Sequence, residues 1–116
     1  GSQCIVLSIY SIGYDRQVCA AYARFMEDVG VGEILLQSIS RDGTMQGYDL
    51  DLIGAVTDAV SIPVIASGGC SGYQDMYDAI QAGASAVAVG ALFQFTDSTP
   101  IGAAEYLSNR NVEVRV

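Results

Sequence analysis

With 116 residues, 51% of them apolar, the chain can fill one core, and it reads as one domain over 1–116. A net charge of −8 and a pI near 4.1 exclude general affinity for nucleic acid or an anionic membrane surface. No histidine and three cysteines without CxxC spacing (Cys4, Cys19, Cys70) exclude a zinc site and a histidine-based triad; no cofactor is expected, and the setting expected is reduced and cytoplasmic.

No apolar run reaches the length of a bilayer span and no basic-then-apolar leader is read, so no membrane partner is expected. The first element is "CIVLSI" (4–9), continuous and β-branched, as in a strand covered on both faces. A helix follows over 16–30, with Val18, Ala21, Tyr22, Phe25, Met26 and Val29 at helical spacing, Asp15 to cap its start and Gly30 its end. "GEILLQSI" (32–39) is a second strand, and 48–60 a second helix with Leu52, Ile53, Val56 and Val60 on one face and Asp49 as N-cap. The third pair is "IPVIAS" (62–67) and a helix over 73–83 with Met76, Tyr77, Ile80 and a closing Gly83. "SAVAVG" (85–90) is a fourth strand, 100–110 a weaker fourth helix, and the tail "VEVRV" (112–116) an edge strand or an ordered end.

Strand and helix alternate four times without a linker, which demands a parallel sheet whose helices are the crossovers. The expected fold class is α/β: a (βα)4 half-barrel whose parallel strands complete a TIM-like (βα)8 barrel as a homodimer. The alternative is a flavodoxin-like open sheet. A full barrel needs roughly 250 residues, so this length supplies half of one.

Sites in parallel α/β folds lie at the C-terminal ends of strands. There the third strand runs into "SGGCSG" (67–72), where Gly68, Gly69 and Gly72 let backbone N–H groups approach a ligand and the next helix adds its dipole. A space without side chains and floored by N–H groups fits a phosphate; a tight turn that needs positive φ explains the glycines equally well. The stretch is neither GxGxxG nor a P-loop, since no lysine follows the glycines. In "RDGT", Asp42 is a candidate base or hydroxyl ligand, set against an Asp-Gly turn that caps itself. Cys70 reads as a small turn filler rather than a reactive thiol, and Tyr73 and Tyr77 as core or rim.

Taken together, "GEILLQSISRDGTMQGYDLDLI", "IPVIASGG", "AVAVGALFQF" and "NVEVRV" resemble, in order, the C-terminal half of the cyclase subunits of imidazole glycerol phosphate synthase, and "GSQCIVLSI" fits the start of that half. The resemblance implies a (βα)8 barrel of two similar halves that takes ammonia from a glutaminase partner and closes an imidazole ring on a substrate with a phosphate at each end. Each half is implied to hold one phosphate and one catalytic aspartate. Carried onto this chain, the phosphate site falls on Asp42, Gly43, Thr44, Gly68, Gly69, Gly90 and Ala91, with alanine at Ala91 where the family usually has serine. Other positions depart further. The family strand ending Ile-Asp ends here in Ile9-Tyr10, the loop after it shrinks to "SIGYDRQ", and Ser40 stands where a second active-site carboxylate is expected.

Three readings follow. The leading one is a half-barrel that binds phosphate or a phosphorylated small molecule and is an inactive relative of the ammonia-using cyclases (lyases). The second is an active cyclase of histidine biosynthesis, either dimeric or beside a missing half, with Asp42 or Asp15 as its carboxylate. The third is a structural or engineered self-associating building block without a ligand. A homodimer is expected on physical grounds, because four parallel strands leave two open edges.

Overall fold

The computed structural model describes residues 5–12, 15–39, 46–89 and 98–110. In chain order the elements are β1 (Val6–Ser11), α1 (Arg16–Val29), β2 (Glu33–Ser38), α2 (Leu50–Ala59), β3 (Val64–Ser67), α3 (Tyr73–Gln81), β4 (Ala86–Ala88) and α4 (Pro100–Ser108). The four strands are all parallel and lie in the order β1-β2-β3-β4. Right-handed crossovers between strands that advance in one direction place their helices on one face of the sheet. A flavodoxin-like sheet instead reverses direction and buries β1 between two neighbours. Here β3 pairs with β2 and, among the described residues, β1 stands at the sheet edge, so the open-sheet alternative fails and the sheet is a half-barrel. The "VEVRV" tail, which that alternative needed as a fifth strand, lies outside the described residues, as does Cys4.

The core sits between the helices and one face of the sheet. Ile9, Ile34, Leu36, Val64 and Ala66 supply the strand side, and Leu52, Ile53, Val56, Met76, Ala79 and Leu107 the helix side. The opposite face is different. Val6 and Tyr10 are 50% and 57% exposed, Ser8 is exposed, and Leu35 and Ile65 are half-buried. The expectation that β1 is covered on both faces is therefore met on one only, and the other is the face that would line the inside of a closed barrel.

Helix α1 corrects the sequence reading in a second way. Its buried residues are the small ones, Cys19, Ala20 and Ala23, whereas Val18, Tyr22, Phe25 and Val29 are exposed and Met26 is half-buried. Small side chains let the helix approach the sheet and α2 closely; the bulky stripe faces elsewhere. Asp15 does stand at the N-cap of α1, but its carboxylate makes no cap bond and accepts from Ser11 Oγ at 2.6 Å. That bond holds the Asp15 carboxyl below the usual carboxylate range. Asp49 caps α2 as expected, accepting from the Leu52 N–H at 3.1 Å. The same buried carboxylate takes Nε and Nη2 of Arg16, each at 3.2 Å, which joins the first turns of α1 and α2.

The other end of α1 is joined through Glu27, whose Oε2 accepts the Ser61 N–H (2.7 Å), the Ser61 hydroxyl (2.9 Å) and the Ile62 N–H (3.0 Å). A carboxylate in the last turn of a helix opposes the dipole, so these three donors are what make the position favourable. The Ser61 N–H, followed by the Ser61 hydroxyl, depresses the Glu27 pKa. The resulting stabilisation is present above the ordinary carboxyl range and is lost as pH falls through the folded-state value. Glu27→Gln is therefore expected to lower the melting temperature near neutral pH, with the difference from wild type shrinking as pH falls below the ordinary carboxyl range. A pH series of thermal melts checks this; a difference that stays constant with pH would contradict it.

Candidate functional site

The C-terminal ends of the strands converge on one rim of the sheet. Strand register places Tyr10, Gln37, Ser67 and Ala88 in a single row on the open face, the last row before the loops. Directly after Ser67, Gly68 and Gly69 both have positive φ, 101° and 98°. Gly68 is needed for space as well as conformation: a Cβ there would lie 2.5 Å from the Ser38 carbonyl oxygen. The backbone of β3 thus crosses the end of β2 at a distance only glycine permits, and it leaves the strand without a side chain.

Several contacts hold this turn in place. The Gly47 N–H donates to the Gly69 carbonyl at 2.6 Å, bringing the segment before α2 onto the glycine turn. Tyr48, buried next to it, donates its hydroxyl to the Ala88 carbonyl at 3.1 Å and so ties this segment to the end of β4. Its hydroxyl also shares a side-chain hydrogen bond with the Cys70 thiol, and burial pushes both the phenol and the thiol above their ordinary ranges. The Cys70 Sγ points to the Gly72 carbonyl at 3.4 Å, which suits the turn-filling role read from sequence.

The amino end of α3 departs from the sequence reading, which added that helix's dipole to the anion site. Asp75, in the first turn of α3, accepts the Ser71 N–H at 2.7 Å and also the Ser71 hydroxyl. The protein's own carboxylate already supplies negative charge there. What remains for an external anion is the Gly68–Gly69 turn itself, one step nearer the sheet. Asp75 and Tyr48 were both missed as site-forming residues. Asp75 stands four residues after Ser71, a spacing within reach of a first-turn cap, and Tyr48 follows Gly47 in "QGYD".

Of the expected phosphate ligands, Gly68 and Gly69 are placed at this rim, whereas Asp42, Gly43, Thr44, Gly90 and Ala91 lie outside the described residues, as does Ser40. Tyr10 stands on the open face in the row beneath the glycine turn. Asp15, the other candidate carboxylate, is committed to Ser11. Among the described residues no group of three His, Cys, Asp or Glu side chains could hold a metal ion. Nor is any helix among them long and apolar enough to cross a membrane.

A protein-family model described as "Histidine biosynthesis protein" matches residues 1–99. The chain belongs to that family. The imidazole glycerol phosphate synthase subunit HisF of Pyrobaculum aerophilum is 50% identical over 95 residues, covering 82% of this chain and 38% of that relative. Two solved structures share the fold at lower identity. Wild-type GGGPS from Thermoplasma volcanium superposes with a TM-score of 0.63 at 19% identity, over 89% of this chain and 41% of that one. The Amycolatopsis orientalis BexX/CysO complex contains a chain with a TM-score of 0.67 at 19% identity, over 97% of this chain and 47% of that one. This histidine-biosynthesis chain therefore spans less than half the length of each of these proteins.

Proposed function

We propose that this member of the histidine biosynthesis family is the phosphate-gripping half of a (βα)8 barrel and has lost the ring-closing activity of its cyclase relatives. The observation that carries the proposal is the Gly68–Gly69 turn: two successive positive-φ glycines at the C-terminal end of a parallel strand, where a Cβ on the first would strike the neighbouring strand. Such a turn gives backbone N–H groups close access to an anion, and charge-assisted bonds to phosphate are the stronger kind. The ligand is inorganic phosphate or a phosphorylated small molecule, with Asp42, Gly43, Thr44, Gly90 and Ala91 completing the site as the family resemblance implies. The exposed sheet face supports the half-barrel reading, since a second (βα)4 unit would cover it.

The competing reading keeps ammonia-dependent cyclisation, with a glutaminase partner as in the family. It needs a carboxylate at the mouth of the barrel. The last row of the open face holds Tyr10, Gln37, Ser67 and Ala88 and no carboxylate, which favours loss of the activity.

Thermal melts test the site. Millimolar phosphate is expected to raise the melting temperature over a chloride control at equal ionic strength, and Gly69→Val to abolish the rise. Absence of any shift in the wild type would contradict the phosphate reading and leave only the self-associating building block.

A further inference from the structure

The three residues that lead into α2 each bond a different part of the molecule. The Gly47 N–H donates to the Gly69 carbonyl, the Tyr48 hydroxyl to the Ala88 carbonyl, and the Asp49 carboxylate takes the Arg16 guanidinium. One short run of the second βα unit therefore reaches the third, the fourth and the first. Tyr48 makes the longest of these reaches. In the strand order β3 separates β2 from β4, yet a residue that follows β2 bonds the last residue of β4. Two strand spacings amount to about 10 Å. The backbone covers part of that distance, since Gly47 already lies on the glycine turn that ends β3, and the phenol covers the rest.

Packing alone does not call for a tyrosine here. The ring belongs to the same buried core as Cys70 and Met76, a place that phenylalanine would fill equally well. What the hydroxyl adds is a fixed distance between two segments. It meets the Ala88 carbonyl on one side and the thiol of Cys70, the residue after Gly69, on the other. Gly90 follows Ala88 by two residues, and the chain arrives at Gly47 directly from the segment that holds Asp42, Gly43 and Thr44. The places that Gly47 and Tyr48 fasten are thus the places from which the proposed anion ligands extend. An anion held by N–H groups of several segments binds well only if their separations are set before it arrives; otherwise the ordering is subtracted from the affinity.

We infer that Tyr48 is the positioning residue of the anion site: with Gly47 fastened to the glycine turn, its hydroxyl holds the end of β4 at a set distance from Gly68 and Gly69, and this spacing sets the affinity for phosphate. The inference rests on the phosphate reading proposed above and adds to it a residue that holds two walls of the site rather than the ligand. A second clasp, at the other end of the sheet, supplies the contrast. Glu27 joins α1 to Ser61 and Ile62, just ahead of β3, where the strands begin. Its loss loosens the fold without reaching the rim.

Amide-resolved titration with inorganic phosphate tests this on the wild type, Tyr48→Phe and Glu27→Gln. In the wild type the amides of Gly69 and Val89 are expected to titrate with one dissociation constant, since the Val89 N–H belongs to the same peptide group as the Ala88 carbonyl. Tyr48→Phe keeps the buried ring and removes the oxygen, and should raise the dissociation constant about tenfold, the worth of one buried hydrogen bond. Glu27→Gln should lower the melting temperature yet leave the dissociation constant within about twofold of wild type, as a distant and independent site does. Phosphate binding by Tyr48→Phe as tight as that of the wild type overturns the inference and leaves the phosphate reading standing. Equal weakening in both variants also overturns it, because affinity would then follow stability alone. A wild type in which Gly69 titrates and Val89 stays still overturns it without any variant. A wild type that binds no phosphate removes the phosphate reading and the inference with it.

Discussion

Gly68→Ala is expected to lower the melting temperature by about 8 °C or more and to remove the phosphate-dependent rise altogether. Two costs combine. A non-glycine residue at φ 101° is strained by about 1–3 kcal/mol. The added methyl would also sit 2.5 Å from the Ser38 carbonyl, an overpacking that typically costs about 1–3 kcal/mol more. In a domain of this size each kcal/mol shifts the melting temperature by about 4–8 °C. The obstacle is backbone rather than the movable end of a side chain, so relief requires β2 and β3 to separate at the rim where Gly69 and Tyr10 stand. Gly54→Ala is the control, because a Cβ there meets nothing within 4 Å and alanine is the better helix former; it should be neutral or slightly stabilising. Melts of the two variants with and without phosphate make the measurement, and a Gly68→Ala protein that melts like wild type would contradict the close approach.

The wild type is expected to show no ammonia-dependent ring closure on the two-phosphate substrate of its cyclase relatives, and Tyr10→Asp to gain it. Tyr10 is 57% exposed on the open face, in register with Gln37 and one row beneath the glycine turn. A side chain there would meet a ligand whose phosphate lies on Gly68 and Gly69. The family resemblance puts the proton-shuttling aspartate at this position, and a tyrosine is a far poorer general base at neutral pH. Loss of a general base typically costs ~10²–10⁴ in rate, and a symmetric dimer would lack it in both halves. Since Tyr10 packs on solvent rather than core, the aspartate variant should fold normally. Turnover by the wild type would contradict the account of lost activity. Turnover only by Tyr10→Asp would locate the loss in this residue, and a folded but silent variant would assign it to Ser40 and the shortened loop as well.

Element order, helix caps such as Asp49 and the parallel sheet were legible because strand and helix periods differ sharply and alternate without interruption. The choice between half-barrel and flavodoxin-like sheet was not, since both use the same βα units and differ only in which strand lies beside β1. Hydrophobic spacing located α1 but did not show which of its faces is buried. Helical periodicity marks apolar stripes, and α1 has two: the bulky one drew the eye, while Cys19, Ala20 and Ala23 were the ones small enough to pack against the sheet and α2. The Gly68–Gly69 turn was legible because only glycine serves there. Asp75 was not, because its value comes from a side chain folding back on Ser71, a contact that competes with an external anion and leaves no trace in the glycine pattern.

The central claim, that this half-barrel holds a phosphate on the Gly68–Gly69 turn, is tested most directly by following backbone amide resonances during titration with inorganic phosphate against a chloride control. The account predicts saturable shifts centred on the Gly68 and Gly69 amides, with the Ser71 amide, already bonded to Asp75, moving little. Shifts centred on Ser71 and the first turn of α3, or no saturable shift at any amide, would contradict it.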